Sequence, residues 1–243
     1  MPKILYSKEG KKFYVDDITK DYHCQFGVAN KADLKKKTGS KIKTNTNKEL
    51  IVLDADFLDS YRRIKRGAQI VTFKDIGAII AYTGIDKKSI AVDAGTGSGA
   101  LACFLAHICK EVTTYEIRED FYKIAKENKE KLGLKNLKIK KKDIFRGIDE
   151  KEVDLIALDL PDPWNAINVS DKALRIGGYM ASYSPTVSQV SDFVNTLKKK
   201  PNFSHQRTIE LIKREWEVEG RKVRPVTTQN VHTGFLSFFR KIY

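Results

Sequence analysis

The sequence predicts an α/β protein: a sheet with helices on both faces, preceded by a small β-rich N-terminal domain. Strand-like apolar runs alternate with helix-like segments from about residue 70 onward, which is typical of a sheet with helical crossovers. A glycine loop, AVDAGTGSGAL, follows the first of those strands and opens a helix. The earlier residues contain only short β-prone pieces, spaced as in a small barrel or sandwich.

The predicted N-terminal domain covers residues 1–66, and the second domain covers residues 67–243. The β-prone pieces of the first are KILY, KKFYV, CQFGVA, KIKT and ELIVL, separated by Gly, Asp, Asn and Lys. The basic run RRIKRG closes this region, and we place the domain boundary there.

The second domain alternates strands and helices in order. Apolar residues at helical spacing predict helices in KDIGAIIAYTGI, ALACFLAHICK, EDFYKIAKENKEKLG and TVSQVSDFVNTLKKK. Strands are predicted in SIAVDAG, EVTTYE, LKIKKKD, VDLIALDLP and YMASYSP, with TIELIKREWEV and TGFLSFFRKI as closing strands.

The charge of the chain favours a polyanionic partner. The 243 residues include 45 Lys and Arg against 31 Asp and Glu, a formal charge of +14. Residues 1–70 contain 16 of the basic and 9 of the acidic residues, so they carry half of the net charge. Counterion release from phosphates makes nucleic acid the expected partner, although a general preference for surface lysine gives the same composition.

Membrane, secreted and metal-binding classes are disfavoured. No apolar run reaches the roughly 18 residues that span a bilayer, and MPKILYSKEGKKF lacks a secretory signal's apolar stretch. We therefore expect a cytoplasmic protein that does not bind membranes. Three cysteines and four histidines show neither metal spacing nor a CxxC pair, so free thiols and no metal are expected.

The glycine loop predicts a site for a nucleoside-containing cofactor. Gly95, Gly97 and Gly99 stand between a strand and a helix, where glycine lets the backbone bend and approach a ligand. Asp93 precedes them, and Glu116 ends the next strand, where an acid can bind both ribose hydroxyls. D-x-G-x-G-x-G with that acid resembles S-adenosylmethionine-dependent methyltransferases more than NAD dehydrogenases, and the absence of GK[ST] disfavours an ATPase.

A wider resemblance appears with DLPDPW, residues 159–164, which follows the strand VDLIAL at the sheet edge where ligands bind. KRGAQIVTFKD, VDAGTGSGAL, YEIREDF, LDLPDPW, SYSPTVSQV, REWEVEGRKVRP and HTGFLSF occur in that order. Together they resemble the tRNA (adenine-N1)-methyltransferase family over essentially the whole chain. The resemblance implies a Rossmann-like class I methyltransferase sheet, S-adenosylmethionine as cofactor, a homotetramer, and methylation of T-loop adenine 58, 57 or both.

The resemblance assigns the acceptor side of the site to acids and a tyrosine. Asp159 matches the residue beside the target adenine, and we predict that it is catalytic and also touches the cofactor. Methylation at N1 makes adenine cationic, so a nearby carboxylate would stabilise the developing charge. Asp162 is the rival acid and a predicted substrate contact. Tyr183 matches a pocket tyrosine, predicted to be catalytic by stacking on the extruded base; a buried tyrosine that closes the core is the alternative.

Four further side chains are assigned by resemblance. Asp143 is expected at the cofactor's adenine amino group, with a helix cap as the alternative, and Gln69 is expected near the cofactor. Members commonly carry an aromatic residue or histidine followed by proline before KD, whereas this chain has Thr72 and Phe73; Phe73 either covers the base or leaves that contact missing. His232 is predicted to line the substrate pocket, with a purely structural histidine as the alternative.

The N-terminal domain is the predicted tRNA contact, through Lys35, Lys36 and Lys37. Two other functions stay open from the sequence. One is a methyltransferase with another acceptor, an amino group of nucleic acid or a protein carboxylate, although DLPDPW matches the [DN]PP[YFW] motif of amino methylation only loosely. The other is a non-catalytic tRNA-binding paralogue, which would not need the glycines with Glu116, Asp143 and Asp159.

Overall fold

The computed structural model describes residues 1–67, 69–228 and 232–243. The helices of this part are α1 (Lys31–Leu34), α2 (Phe57–Tyr61), α3 (Phe73–Thr83), α4 (Ala100–Ile108), α5 (Glu119–Leu132), α6 (Ile167–Ala173) and α7 (Val187–Lys198). The strands are β1 (Lys3–Ser7), β2 (Lys12–Val15), β3 (Tyr22–Cys24), β4 (Gly27–Ala29), β5 (Lys41–Lys43), β6 (Glu49–Asp54), β7 (Ile90–Ala94), β8 (Glu111–Glu116), β9 (Leu137–Lys141), β10 (Val153–Leu158), β11 (Leu174–Ser184), β12 (Phe203–Glu210), β13 (Trp216–Glu219), β14 (Lys222–Pro225) and β15 (Phe235–Lys241).

The chain divides into two compact units, Met1–Ile64 and Lys65–Tyr243. The first unit is built on an antiparallel sheet in the order β2-β1-β6-β5, with β3 and β4 as a separate hairpin. Its core includes Leu5, Leu34 and Leu50, all fully buried. Phe13 and Phe26 meet each other edge to face and both pack against this core, so these aromatics serve the interior. The order is that of an open sheet rather than the expected barrel or sandwich.

The second unit contains a sheet in the order β12-β15-β11-β10-β7-β8-β9. The ladders between β9 and β11 are all parallel, whereas β15 runs antiparallel to both β11 and β12. The chain moves outward from β7 to β8 and β9, then returns to place β10 on the other side of β7. The carboxyl ends of β7 and β10 therefore flank the point where strand order reverses, which is where open α/β sheets bind ligands.

Helices cover both faces of this sheet, as predicted. Val92 and Asp93 are consecutive in β7, so their side chains point to opposite faces. On the Val92 side, Phe193 of α7 lies in one buried cluster with residues of β7, β10 and β11. On the Asp93 side, the ring of Tyr82 in α3 meets Phe238 of β15 edge to face, with ring centroids 5.5 Å apart. Phe238 shares the Asp93 face through the ladders of β10 and β11.

Two predicted strands are wrong in detail. TIELIKREWEV is not one strand: β12 ends at Glu210, and β13 begins at Trp216 and pairs only with β14 in a separate hairpin. CQFGVA is likewise not one strand: it contains the last residue of β3, a tight turn, and β4, which begins at Gly27 with φ +94°. In the described part of the chain, no helix combines the length and apolar character needed to cross a membrane.

Candidate active site

Two adjoining cavities open at the carboxyl edge of the sheet. The principal cavity, of about 520 Å³, lies where the loops after β7, β8, β10 and β11 meet. A side cavity of about 180 Å³ shares with it the walls formed by Gly95, Glu116 and Leu160. Predicted site residues that line the principal cavity are Gln69, Gly95, Gly97, Glu116 and Asp159. The side cavity adds Asp143 and Asp162.

Gly95 brings the glycine loop against the loop that follows β10. Its φ is +85°, and a Cβ there would lie 1.8 Å from the carbonyl oxygen of Asp159. The amide N–H of Asp159 donates to the carbonyl of Ala94 at 2.8 Å, which continues the ladder between the two strands. Glycine is therefore required because two backbones touch. Gly99 has a different role: it is the N-cap of α4 and packs on Ala125 of α5.

Glu116 is held by two backbone donors. One carboxylate oxygen accepts from the N–H of Gly97 at 2.9 Å, and the other accepts from the N–H of Arg118 at 2.8 Å. The side chain is buried but lines both cavities. Each oxygen retains acceptor capacity, so the carboxylate can bind a vicinal diol while it also fixes the glycine loop.

Asp93 lies beneath the glycine loop, with 1% of its surface exposed. Thr114 donates to one of its oxygens at 2.5 Å, and the hydroxyls of Thr114 and Thr96 are also 2.5 Å apart. Its other oxygen, Oδ1, has no hydrogen-bond partner among the described residues. Burial, with the nearby Asp159 and Glu116 as smaller causes, raises the pKa of Asp93 to about 7. Asp93 therefore supports the loop through two threonines, neither of which the sequence had singled out.

Asn128 is a second support that sequence reasoning missed. Its amide N–H groups donate to the carbonyls of Ser98, in the glycine loop, and Lys65, at 2.8 and 2.9 Å. Its oxygen accepts from the N–H of Lys65 at 2.8 Å. An asparagine within an amphipathic helix gives no sequence signal of such a role, because surface positions of helices carry the same residue.

The two acids of DLPDPW face different surroundings. Asp159 lines the principal cavity, and burial raises the pKa of its carboxyl to about 6. Asp162 is exposed and lines the side cavity. Pro163 starts a single 3-10 turn, and Trp164 packs against the buried cluster that contains α7. The prolines and tryptophan thus fix the path of the segment, and Asp159 is the acid at the larger opening.

Tyr183 is buried at the end of β11, with 6% of its surface exposed. Its hydroxyl donates to the backbone carbonyl of Thr233, and a Cβ on Gly234 would lie 2.5 Å from its ring. Burial raises the pKa of Tyr183 to about 12, with Asp75 and Asp159 as further causes. The phenol therefore stays neutral. These contacts fit the alternative, a buried tyrosine that closes the core, and stacking on a base stays a prediction.

The remaining predicted side chains are spread around this edge. Phe73 starts α3, is 44% exposed, and packs edge to face on Phe104 at 5.9 Å between ring centroids. His232 lies 2.6 Å from a carboxylate oxygen of Glu210 and 3.1 Å from the carbonyl of Pro185, which raises its pKa. Two acceptors engage its ring, as in a structural histidine.

Asp143 is a turn cap, as in its alternative interpretation, and its contact with the cofactor's adenine stays a prediction. Its side chain accepts from the N–H of Phe145 at 2.9 Å, which caps a single 3-10 turn, and it also lines the side cavity. Lys35, Lys36 and Lys37 belong to the first unit, where they follow α1 and are exposed. No group of three potential metal-ligating side chains occurs within residues 1–67, 69–228 and 232–243.

The principal cavity fits a nucleoside cofactor. Its volume of about 520 Å³ falls within the range of roughly 300–1,000 Å³ that small-molecule sites occupy. Backbone without Cβ atoms at Gly95 and Gly97 gives close approach, and Glu116 provides a diol acceptor. The side cavity is lined by Asp143 and Phe145, a polar and an aromatic group suited to a purine.

Comparison with known proteins identifies the family of the chain. A family model described as the tRNA methyltransferase complex GCD14 subunit matches residues 62–227. The tRNA (adenine(57)-N(1)/adenine(58)-N(1))-methyltransferase TrmI of Methanocaldococcus jannaschii is 32% identical, over 98% of this chain and 94% of the relative. The tRNA (adenine(58)-N(1))-methyltransferase TrmI of Thermus thermophilus is 28% identical, over 98% and 92%.

Solved structures show the same architecture over the whole chain. A S-adenosylmethionine-dependent O-methyltransferase from Thermotoga maritima has a TM-score of 0.86 at 31% identity and covers 100% of this chain and 93% of its own. The tRNA (m1A58) methyltransferase TrmI from Aquifex aeolicus has a TM-score of 0.82 at 25% identity and covers 100% and 97%. These matches confirm the predicted class I methyltransferase fold and the predicted family resemblance. The chain belongs to the tRNA methyltransferase family that includes the GCD14 subunit.

Proposed function

We propose that this protein transfers a methyl group from S-adenosylmethionine to N1 of adenine in the T-loop of tRNA, in the cytoplasm. Position 58 is the proposed acceptor, and position 57 is a second one, as in the name of the Methanocaldococcus relative. The observation that carries the proposal is the placement of the Asp159 carboxylate in the same cavity as the glycine loop and Glu116.

We assign one part of the cofactor to each wall of the two cavities. The bound cofactor supplies an electrophilic methyl group on a sulfonium. Glu116 binds the ribose hydroxyls, Asp143 and the side cavity receive the adenine, and the glycine loop passes along the remainder. Gln69, on the principal cavity wall, is placed near the cofactor's polar end.

The acceptor side needs positioning and charge stabilisation rather than a base. Adenine N1 carries an in-plane lone pair and attacks without losing a proton, so alignment supplies much of the rate. The product base is cationic, and an ionised Asp159 stabilises that charge in a half-buried site where electrostatic interactions are strong. A neutral Tyr183 and the Phe73 ring bound the space for an extruded base.

The first unit is proposed to hold the tRNA backbone. Lys35–Lys37 are exposed beside α1, and the Lys3 ammonium fixes this segment by donating to the Lys36 carbonyl at 3.2 Å. Lysines on an ordered turn bind phosphates with less loss of conformational entropy than lysines on a disordered tail.

The protein is further proposed to be a homotetramer. In the β13–β14 hairpin, Trp216 pairs with Pro225 and Val218 with Val223, so one face is apolar, and its Trp and Val side chains are exposed. On the other face, Lys222 and Arg224 bind Glu217 at 2.7 and 2.9 Å. A second copy would cover the apolar face. Sedimentation should show four 27.7 kDa chains, and Val218→Glu should reduce the assembly; a monomeric wild type contradicts this part.

The acceptor atom is tested with unmodified tRNA transcript and methyl-labelled cofactor, followed by nucleoside mass spectrometry and position mapping. The expected product is 1-methyladenosine at position 58, with or without position 57. Transcripts with guanosine at 57, at 58 or at both separate the two acceptors. A catalytically silent control is Glu116→Ala with Asp159→Ala, which removes both sides of the site.

One rival acceptor has a specific observation behind it, because the similar Thermotoga protein is described as an O-methyltransferase. A 2′-O-methylated nucleoside or a methylated protein carboxylate in the same assay would establish that rival. Absence of transfer together with tight tRNA binding would instead establish a non-catalytic tRNA-binding subunit.

A further inference from the structure

Thr233 joins three elements at the back of the proposed acceptor site. Its hydroxyl accepts from the Lys74 ammonium at 2.6 Å and donates to a carboxylate oxygen of Asp75 at 2.9 Å. Its backbone carbonyl accepts the hydroxyl of Tyr183. A single buried residue before β15 is therefore tied to the start of α3 and to the end of β11.

The charged pair that holds Thr233 lies mostly out of water. The side chain of Asp75 is 1% exposed and that of Lys74 is 14% exposed. The oxygens of Asp75 accept from the Lys74 ammonium at 2.7 Å and from the Thr72 hydroxyl at 2.8 Å. An apolar pair of similar volume often stabilises a fold as well as an ion pair that is withdrawn from water. Because both charged groups also bind the Thr233 hydroxyl, the pair holds that residue at the start of α3.

Tyr183 is the side chain that this arrangement orients. The β10–β11 ladder pairs Leu158 with Ser182, so Asp159 and Tyr183 are next in register at the edge of the sheet. The Tyr183 ring also lies against Gly234, where a Cβ would come within 2.5 Å of it. The position of the ring beside Asp159 thus depends on where the backbone of Thr233 and Gly234 is held.

We propose that Thr233, anchored by the Lys74–Asp75 pair, is a positioning residue that fixes the Tyr183 wall of the methyl-transfer site. The inference rests on the proposed function, in which Tyr183 bounds the space for the target base. Thr233 acts through Tyr183, because its own side chain lines, with Phe73 and Lys74, a cavity of about 340 Å³ that is distinct from the Asp159 cavity. Because alignment supplies much of the rate, a small displacement of this wall lowers kcat more than it lowers cofactor affinity.

The test compares Thr233→Val, which removes only the hydroxyl, with Thr233→Ser, which keeps it. Thr233→Val should lower kcat on tRNA by about 10- to 100-fold, with the cofactor Kd within about twofold of wild type, and Thr233→Ser should restore most of the rate. The matched control is Thr83→Val on α3, because Thr83 is also buried and, among the described residues, its hydroxyl bonds only the carbonyl of Ile79 in its own helix. That variant should keep the wild-type kcat.

A double-mutant cycle separates positioning from a loss of stability. Tyr183→Phe removes the hydroxyl that reaches Thr233, so the double variant with Thr233→Val should lose little more rate than the worse single variant. The proposal would be overturned if the rate losses of the two single variants multiply in the double variant. An unchanged kcat in Thr233→Val would also overturn it, as would a Thr233→Ser variant as slow as Thr233→Val.

A structural readout keeps the inference apart from the proposed function. In crystals of Thr233→Val, the Tyr183 ring should move away from its wild-type position beside Asp159; an unmoved ring overturns the inference. This measurement needs no turnover. A wild-type product other than 1-methyladenosine would therefore contradict the proposed function, while the ring position still decides the role of Thr233.

Discussion

Asp159 and Asp162 are three positions apart, and burial is what separates their chemistry. The carboxyl of Asp159 has a pKa raised to about 6 because it is withdrawn from water, whereas Asp162 is exposed. A desolvated carboxylate interacts more strongly with a cationic base than an exposed one does. The same burial makes the group sensitive to protonation just below neutral pH.

Asp159→Asn should lower kcat on tRNA by on the order of 100-fold or more, with a cofactor Kd within about threefold of wild type. In the wild type, kcat should rise with pH up to about 6 and then level, because the carboxylate is the active form. Steady-state kinetics and isothermal titration calorimetry give both quantities. Asp162→Asn is the matched control and should retain most activity; a larger loss there than at Asp159 would exchange the two assignments.

Asp93 should make the fold pH-dependent in the opposite sense to a salt-bridged acid. Its folded pKa of about 7 lies above the ordinary 3.8, so the folded state binds a proton that the unfolded state has lost. Stability is therefore greatest below pH 3.8 for this group and falls as pH rises toward 7.

Asp93→Asn keeps an acceptor for Thr114 and removes this titration. Between pH 5 and pH 8, the variant should gain stability relative to wild type by on the order of 2 kcal/mol. Urea unfolding at both pH values measures the difference. Equal pH dependence in the two proteins would show that Asp93 titrates normally in the folded state.

The sequence predicts the acids of the proposed site but not the residues that support them. Glu116 and Asp159 stand at strand ends, where position alone suggests contact with a ligand. Thr114, Asn128 and Thr233 have no such signature, because each acts through a tertiary contact with a residue at least 18 positions away. Only a structure can show which ordinary polar residue receives that contact.

Among the elements, the glycine loop was predictable in outline and not in detail. Its place between β7 and α4 follows from the strand, glycine and helix pattern. The loop after β10 leaves no room for a side chain at Gly95, and this follows from the pairing of β7 with β10. Gly99 is constrained separately, by its packing against α5. Parallel pairing of distant strands leaves no local trace in the sequence.

Gly95→Ala should therefore damage the site far more than an alanine at another left-handed glycine. Gly133 ends α5 at φ +65° with open space around a Cβ, so Gly133→Ala should cost only about 1 kcal/mol of stability. Gly95→Ala should cost more than this and should weaken cofactor binding by at least tenfold. Thermal unfolding and calorimetric Kd values for both variants provide the comparison, and similar effects at the two positions would contradict the contact with Asp159.

The closing elements were the least predictable. The sequence predicts β13 as part of one strand, TIELIKREWEV, because that segment contains several apolar residues, whereas β13 pairs with β14 in a separate hairpin. The apolar residues of β13 are not buried in the sheet, so their hydrophobicity has a different cause from that of β15. Sequence patterns record that a residue is apolar and leave open which surface covers it.

At the scale of the whole molecule, we assign catalysis to the second unit and tRNA binding to the first. The second unit contains both cavities, whereas the first has the higher density of positive charge. Its aromatic residues Phe13 and Phe26 pack in its core, so lysines are its means of binding RNA.

Reversing Lys35–Lys37 to glutamate should raise the tRNA Kd by at least tenfold and lower the slope of log Kd against log salt by up to about 3. The matched control is the same change at Lys198–Lys200, a second three-lysine run at the end of α7. Binding isotherms at several salt concentrations measure both slopes. If the control weakens binding as much, net charge rather than a defined surface accounts for affinity.

Gly95 touches the carbonyl of Asp159 through main-chain atoms. The distance between the methyl donor and the methyl acceptor is therefore set by the backbone. The two walls are extensions of β7 and β10, and adjacent strands are separated by about 4.8 Å whatever their side chains. Redesign for a different methyl acceptor can therefore replace the side chains around Tyr183 and Phe73 without resetting this distance. Loop exchange between relatives should succeed when the segments after both strands are transferred as a pair, and it should fail when either is transferred alone.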